Sequence, residues 1–264
     1  MTAGSSAVKA TAKTALKGKW IKSIVASIIL ASAVLICAIT GDLVLYIAGN
    51  AAAVIYKALF SVLVAMPLFL GTLRFFWRLL FGTADDTVLL YHYFSSRELY
   101  RRALKLCLSL TVRIAVIGAA LFIPAVFTDI LSKAEFYEAF GNAIPLWVSN
   151  LWPVSVLLKS LAGVALAFVV IRYYAAPVLF VADDNIDVAE AVHMSSVLAR
   201  GSYADFVYLV FSLLGWILLC FLYAPIVFVL PYLLVSYLVH VRFAVAYFNK
   251  KVSRAEQAPT FSGV

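Results

Sequence analysis

Residues 171–206 read I-R-Y-Y-A-A-P-V-L-F-V-A-D-D-N-I-D-V-A-E-A-V-H-M-S-S-V-L-A-R-G-S-Y-A-D-F, and an almost uninterrupted apolar run follows as far as Tyr247. The beginning of this stretch is typical of a membrane helix that ends at Asp183-Asp184, where charged residues leave the apolar interior of the bilayer. A short amphipathic segment over 187–199 then predicts a helix on the membrane surface. The apolar run is broken only at Ala224-Pro225, which predicts two further membrane helices joined by a tight turn. The stretch therefore predicts an integral membrane protein.

The composition of the whole chain supports the same conclusion. Of its 264 residues, 65% are hydrophobic and only 13% are charged, a balance that a water-soluble domain of this length rarely reaches. Each membrane-spanning helix needs about 20 residues, so the length suits about six of them and leaves no room for a separate soluble domain. We therefore expect an all-α fold, a polytopic membrane bundle of about six transmembrane helices with amphipathic interfacial helices.

The apolar runs give the limits of these helices and of the flanking segments. Spans are expected at 21–39, 51–73, 104–127, a fourth that ends near 181, a fifth at 206–223 and a sixth that runs to 247. This division gives a basic N-terminal segment at 1–19, a six-helix membrane domain at 20–248 and a tail at 249–264. Basic and aromatic residues alternate after the second span, and this pattern predicts interfacial helices there as well as at 187–199.

The distribution of basic residues predicts the orientation of the chain. Five lysines lie before or at the start of the first span, and more basic residues follow the last one. Among the predicted outer connections, only Lys133 is basic, so the positive-inside rule places both termini in the cytoplasm. The net charge of +8 is explained by this asymmetry and by contact with anionic lipids. No nucleic-acid partner is therefore predicted, and membrane lipids are the expected partners.

Basic and aromatic residues where the chain meets the membrane are the first group of candidate functional residues. Cationic side chains there can contact lipid phosphates, while aromatic rings lie at headgroup depth. On this pattern we predict interfacial lipid contact for Lys17, Lys19, Trp20, Arg97, Arg101, Arg102, Arg200 and Tyr203.

Cations inside the predicted spans are the second group, because a charge in the hydrocarbon region is costly and often functional. Lys57 and Lys159 lie in the outer halves of spans two and four, and Arg113 and Arg172 lie nearer the cytoplasmic ends of spans three and four. All four are candidate contacts for a ligand or a lipid headgroup. The alternative for the lysines is that their long side chains reach the outer headgroups, and for the arginines it is simple phosphate anchoring.

A possible repeat of helical hairpins becomes visible once the spans are placed. Lys17-Gly18-x-Trp20 leads into span one and Arg200-Gly201-x-Tyr203 leads into span five, while Ala65-Met66-Pro67 and Ala175-Ala176-Pro177 lie in spans two and four. These matches suggest three copies of a surface helix followed by two spans, with the two glycines at the turns into the membrane. The alternative is that any membrane chain has basic, aromatic and glycine residues at such places.

Signatures of metal, cofactor or nucleophilic chemistry are weak in this sequence. His92, His193 and His240 are scattered, and Cys37, Cys107 and Cys220 each lie alone in apolar runs. The acids at 183–190 fit a helix start better than a cation site, with N-cap oxygens from Asp183-Asp184-Asn185 and negative charge from Asp187 and Glu190 in the first turn. No cofactor, metal or catalytic residue is predicted, and the protein is expected not to be an enzyme.

The sequence also resembles a known family. The matching stretches are A-L-K-G-K-W at 15–20, R-Y-Y-A-A-P-V-L-F-V-A-D-D at 172–184, A-E-A-V-H-M-S-S-V-L-A-R-G-S-Y at 189–203 and L-P-Y-L-L-V-S-Y at 230–237. They resemble the bacterial membrane family catalogued as domain of unknown function 975, which is itself similar to the membrane portion attached to some glycerophosphodiester phosphodiesterases. This chain has Ile186 where the family usually has proline. The resemblance implies a multi-pass protein of a bacterial plasma membrane, and it implies no activity.

Two functions are compatible with these features. The first is a non-enzymatic scaffold, accessory or envelope-associated membrane protein, with a membrane protein as a possible partner. The alternative is a small transporter or lipid-handling protein that uses a cavity lined by Lys57 and Lys159.

Overall fold

The computed structural model describes residues 4–82, 87–133, 151–220 and 225–257, and within these ranges the chain forms helices and no strands. We number the described α-helices in chain order. They are α1 (Ser5–Leu16), α2 (Trp20–Phe60), α3 (Met66–Leu80), α4 (Arg97–Leu131), α5 (Trp152–Arg172), α6 (Ala176–Ala182), α7 (Val188–Leu219) and α8 (Ile226–Gln257). A π-helical turn (Ser61–Ala65) connects α2 to α3, and a 3-10 helix (Thr87–Phe94) precedes α4.

Five helical stretches of the described residues are long and apolar enough to cross a membrane. They are Trp20–Leu80, Arg97–Leu131, Trp152–Ala182, Val188–Leu219 and Ile226–Lys251. Large apolar side chains remain exposed along them, as at Ile21, which is 80% exposed. Such surfaces are unusual on a water-soluble monomer and suit contact with lipid. The prediction of an all-α, polytopic membrane fold is therefore confirmed.

The first of these stretches reverses direction at Gly49. This residue has φ 83° and ψ 176°, which is not helical, and glycine adopts it without a Cβ clash. On either side of it, the Tyr56 hydroxyl donates to Thr40 Oγ1 at 2.8 Å and Lys57 Nζ lies 2.8 Å from Asp42 Oδ1. In a straight helix, residues that far apart in sequence would be about 22 Å apart. The stretch therefore provides two antiparallel arms, which correspond to the first two predicted spans.

The predicted connection at 41–50 is too long. α2 continues through Gly41 and Asp42, and the reversal is confined to Gly49. A Cβ at Gly41 would lie 2.2 Å from Cε of Lys57, so the absence of a side chain there makes room for the lysine to reach Asp42. The predicted loop glycine is thus a close-packing position between the two arms.

The second arm extends beyond the predicted limit of span two. The helix restarts at Met66-Pro67 after the π-helical turn and continues as α3 to Leu80, so Arg74 lies on this arm and not on an interfacial helix. The 3-10 helix packs closely against α3. A Cβ at Gly71 would lie 1.9 Å from the carbonyl oxygen of Leu90, which only glycine avoids.

The predicted interfacial helices before spans three and five are not separate elements. Residues 97–105 are the beginning of α4, and residues 188–199 are the beginning of α7, which continues through Gly201 without a break. An isolated glycine costs a helix about 1 kcal/mol relative to alanine, which is too little to end it when backbone hydrogen bonds continue on both sides. Gly18, with φ 79°, does form the predicted turn between α1 and α2.

One compact unit contains the described residues up to 108 and from 174 onward. Its core is centred on α3, which packs against α2, α6, α8 and the 3-10 helix. Phe75, Phe76 and Leu73 of α3 are fully buried, as are Val235 and Leu238 of α8. Helix α1, predicted as part of a separate N-terminal segment, packs on α7 and α8. Its cytoplasmic location stays a prediction.

The second compact unit, residues 109–173, contains the rest of α4 and all of α5. These helices are antiparallel neighbours, because Gly118 faces Leu166 and Asp129 contacts Lys159. Asp129 was predicted in an outer loop but lies on α4, which extends to Leu131. Most of the predicted connection between spans three and four, at 134–150, lies outside the described residues, as do the turn residue Ala224 and the end of the tail.

Candidate functional site

A buried arginine and an acid from distant parts of the chain form the centre of the candidate site. Arg74 on α3 is only 4% exposed, and its two terminal nitrogens contact both carboxylate oxygens of Asp184, with Nη2 at 2.8 Å from Oδ2. Asp184 lies in the connection between α6 and α7. A planar guanidinium matches a carboxylate in this two-point geometry, which compensates part of the cost of burying its charge. The hydrogen bond from Arg74 holds the pKa of Asp184 below its ordinary value.

A second arginine contacts the backbone of the same connection. Arg102 on α4 donates to the backbone carbonyls of Asp184 and Ile186, the latter at 2.9 Å. Its guanidinium also lies 5.4 Å above the ring of Phe180, a distance suited to a cation–π contact. In the connection between α6 and α7, Arg74 therefore binds the side chain of Asp184, and Arg102 binds the backbone.

The acids beside Asp184 have local roles. Oδ1 of Asp183 accepts from the backbone N–H of Asn185 at 2.8 Å, and Asp187 caps α7 by accepting from the N–H of Ala189 at 3.3 Å. Backbone N–H groups of Val188 and Ala189 lower the pKa of Asp187. The prediction of an N-cap within Asp183-Asp184-Asn185 is wrong, because α7 begins at Val188 and Asp187 caps it. Asp184 was included in the same interpretation, and its pairing with Arg74 was missed.

Two residues of the 3-10 helix complete the site. Tyr93 is 2% exposed and stacks on Phe180 with ring centroids 5.8 Å apart. Burial raises the pKa of Tyr93 to about 12, and burial together with the charge of Arg74 lowers the pKa of His92. Nε of Arg74, Nε2 of His92 and the Tyr93 hydroxyl are buried without a well-formed hydrogen bond to any described residue. We call Arg74, His92, Tyr93, Arg102 and Asp184 the Arg74–Asp184 cluster.

The chemistry available to this cluster is electrostatic. It joins α3, the 3-10 helix and α4, which follow one another in sequence, to the distant connection after α6. The described residues contain no group of three or more histidine, cysteine or acidic side chains that could hold a metal ion. Ion pairing and hydrogen bonding between helices are thus the functions that its geometry supports directly.

A second polar cluster, also missed from the sequence, lies between α7 and α8. The Tyr174 hydroxyl is 2.8 Å from Ser202 Oγ and 3.5 Å from Nε2 of His240, and all three residues are buried. Ser202 donates to the carbonyl of Leu198 at 2.8 Å, so its hydroxyl proton already has a backbone acceptor. The Tyr237 hydroxyl donates to the carbonyl of Tyr174. In the sequence, the spacing of Ser195 and Ser202 places them two turns apart on one face of α7, and this pattern could have indicated a polar contact there.

The lysines predicted inside spans are paired with acids. Lys57 contacts Asp42 at 2.8 Å within the first hairpin, and Lys159 contacts Asp129 at 3.0 Å between α4 and α5. Asp129 also accepts from Ser155 at 3.1 Å. Each ammonium group therefore joins two antiparallel helices of its own hairpin.

The other predicted contact residues lie on the surface or near it. Lys19 donates to the carbonyl of Leu79 at 3.4 Å, Trp20 is 36% exposed and Tyr203 is half-buried. Arg102 is engaged inside the protein as described above. Contact with lipid stays a prediction for all of them, including the exposed side chains of Lys17, Arg97, Arg101, Arg113, Arg172 and Arg200.

Comparison with known proteins gives one match. No curated protein matches the chain, and no solved structure matches it. A family model does match, and it covers residues 1–244, which include both polar clusters and all the paired lysines. The chain therefore belongs to the family described as "Protein of unknown function (DUF975)".

Proposed function

We propose that this is a non-enzymatic scaffold, accessory or envelope-associated membrane protein. The observation that carries the proposal is that cations on the membrane helices form ion pairs with acids of the same chain. Arg74 and Lys159 each pair with an acid on another element, and Lys57 pairs with an acid on the opposite arm of α2. In transporters and intramembrane enzymes, such groups commonly line a water-filled path or a reaction site. Here they join helices, which supports an architectural role.

The arrangement of the buried serine and histidine also favours a protein without catalytic activity. A nucleophilic serine needs a base placed to take its proton. Ser202 donates to the helix backbone and lies 2.8 Å from the Tyr174 hydroxyl, while Nε2 of His240 contacts that tyrosine at 3.5 Å. This geometry supports a packing role for the second cluster.

We further propose that the protein lies in a bacterial plasma membrane with both termini in the cytoplasm. The excess of basic residues at the chain ends supports this orientation. We also propose a relation to the membrane portion attached to some glycerophosphodiester phosphodiesterases. That portion accompanies an enzyme domain, so such a relation favours an accessory role. Membrane lipids and one membrane protein are the proposed partners.

Native mass spectrometry of the protein extracted from its own membrane in mild detergent tests the proposal. We expect a stoichiometric protein partner to remain bound. A variant with Arg97→Ala and Arg101→Ala removes two exposed cations and should weaken this association at low salt, and less at high salt, where these charges are already screened. Arg113→Ala, another exposed arginine, serves as the control. Recovery of the protein with no partner under any condition would contradict the proposal.

The alternative of a small transporter or lipid-handling protein makes a different prediction. If Lys159 binds a transported anion, Lys159→Ala should abolish flux in proteoliposomes while the protein remains folded. Because Lys159 is paired with Asp129, we expect no flux that depends on Lys159. A flux that is lost in Lys159→Ala and kept in Lys133→Ala would favour the alternative.

A further inference from the structure

The N-terminal helix α1 brings two lysines against the α7–α8 hairpin. Val8, Ala12 and Leu16 repeat every four residues and are fully buried, so they fix one face of α1 on α7 and α8. Lys9 and Lys13 each follow a member of this repeat and lie one helical turn apart on the adjacent face. The packing of α1 thus places two ammonium groups side by side at the edge of the hairpin.

One of these ammonium groups lies far along the apolar part of α7. Lys9 Nζ donates to the carbonyl oxygen of Ser212 at 2.8 Å. From Arg200 to Ser212 the helix rises about 18 Å, so this contact is well inside the apolar segment. A lysine has three donors, and a single carbonyl does not neutralise its charge. A cation in this position therefore favours an anionic partner.

A groove with aromatic walls opens beside these lysines. It has a volume of about 450 Å³ and is lined by Lys9, Lys13, Trp20, Trp216, Phe228 and Tyr232, among others. Trp216 and Tyr232 form a ring pair with centroids 5.5 Å apart, and Trp216 and Phe228 remain 46% and 59% exposed. The described lining contains no acid, so two positive charges stand at one side of an otherwise apolar groove.

We propose that this groove binds an anionic phospholipid. The phosphate group would contact Lys9 and Lys13, and the acyl chains would lie along Trp216 and Phe228. Charge complementarity selects an anionic headgroup, and the apolar walls select a molecule with a hydrocarbon chain over a free phosphate ion. This inference goes beyond the proposed function, because it assigns a ligand site and does not depend on a protein partner.

Native mass spectrometry with added lipid tests the site. The full chain in mild detergent is titrated with phosphatidylglycerol, and in parallel with phosphatidylcholine and with inorganic phosphate. We expect a saturable phosphatidylglycerol adduct that phosphatidylcholine and inorganic phosphate do not displace. The double variant Lys9→Gln, Lys13→Gln should weaken this adduct about tenfold or more, because two contacts between lysine and an anionic headgroup are lost.

The matched control is Lys250→Gln, Lys251→Gln, which removes the same charge from exposed positions at the end of α8. Lys13→Glu alone is a second variant, since it reverses a charge in the groove and leaves the Lys9–Ser212 contact in place. We expect the control to bind like the parent and Lys13→Glu to bind weakly. Equal binding by the control and the double variant, or equal displacement by phosphatidylcholine or phosphate, would overturn the proposal. Neither result depends on whether a protein partner is found.

Discussion

At the scale of single residues, Arg74 is the most constrained charge among the described residues. It is buried, and its main partner, Asp184, is half-exposed with 55% of its side chain accessible. Removing the acid would leave the guanidinium in a site from which most water is excluded. The energetic role of this pair is thus asymmetric, because the loss of Asp184 exposes the full desolvation cost of Arg74.

We therefore expect Asp184→Asn to lower the free energy of unfolding by about 2 kcal/mol, less than for a fully buried pair because water reaches Asp184. Denaturation of the purified protein in detergent micelles measures this change. Asp183→Asn is the matched control, since its side-chain oxygen can still accept from Asn185. Adding Arg74→Met to Asp184→Asn should restore most of the stability. Equal stability of the two Asn variants would contradict this account of the pair.

The pH dependence of stability follows from His92 at the same site. Burial and Arg74 lower its pKa from 6.5, so the folded state keeps the imidazole neutral when the unfolded chain already binds a proton. Stability from this residue is fully present above pH 6.5 and falls as the pH decreases below it. His92→Gln should flatten this part of the profile in thermal denaturation between pH 7.5 and 5. His193→Gln, which changes an exposed histidine, should leave it in place.

The stability of the protein should fall a second time at lower pH. Because Arg74 lowers the pKa of Asp184 below 3.8, the stability due to this carboxylate is present above that value and is lost as the pH falls through the lowered pKa. The His92→Gln variant should still lose stability in this lower pH range, because Asp184 is unchanged. A parent protein whose stability does not change between pH 7.5 and 5 would contradict the assignment for His92.

At the scale of elements, the structure strengthens the predicted relation between the first two hairpins. Pro67 and Pro177 each lie in the first turn of a restarted helix, α3 and α6. Arg74 and Asp184 both follow their proline by seven residues, and they pair with each other. Each hairpin also carries an ion pair between its helices, at Asp42–Lys57 and Asp129–Lys159. In α7 and α8, the aromatic pair Trp216–Tyr232 joins the two helices.

The reversal at Gly49 can be tested by cross-linking. With Cys37, Cys107 and Cys220 replaced by alanine, Asp42→Cys and Lys57→Cys should react together with a short bis-maleimide, because the two arms meet there. A mass shift of one intact linker on the intact protein reports the cross-link. Leu35→Cys with Asn50→Cys has the same separation in sequence, but only the second position is near the turn. Efficient cross-linking of this control pair alone would show that the reversal lies elsewhere.

At the scale of the whole molecule, the sequence predicts the class of fold because apolar runs of membrane length have few alternative structures. It does not predict where a helix ends when no strong breaker is present, and α4 and α7 therefore extend through segments assigned to the membrane surface. The Arg74–Asp184 cluster was missed for another reason. Its members lie on four segments that only the tertiary packing brings together, and local spacing carries no sign of that pairing.

The exposure of a cation on one helix can be predicted from the sequence, but its partner on another helix cannot. The exposure of Arg97 and Arg200 follows from the amphipathic pattern of their own helices. The ion pairs of Lys57 and Lys159 require an acid on the facing helix, and a single sequence does not specify which residue faces each lysine. Pairing across a hairpin is therefore the level at which prediction from this sequence stops.

Orientation in the membrane is the remaining property of the whole molecule that the basic residues predict. Lys133 follows α4 at the predicted outer side, while Lys105 lies on the exposed beginning of the same helix. In a background without the native cysteines, Lys133→Cys should react with a membrane-impermeant thiol reagent applied to intact cells. Lys105→Cys should react only after permeabilisation, because about 42 Å of helix separates the two positions. Labelling of Lys105→Cys in intact cells with protection of Lys133→Cys would reverse the assignment, and the positive-inside rule would then fail for this chain.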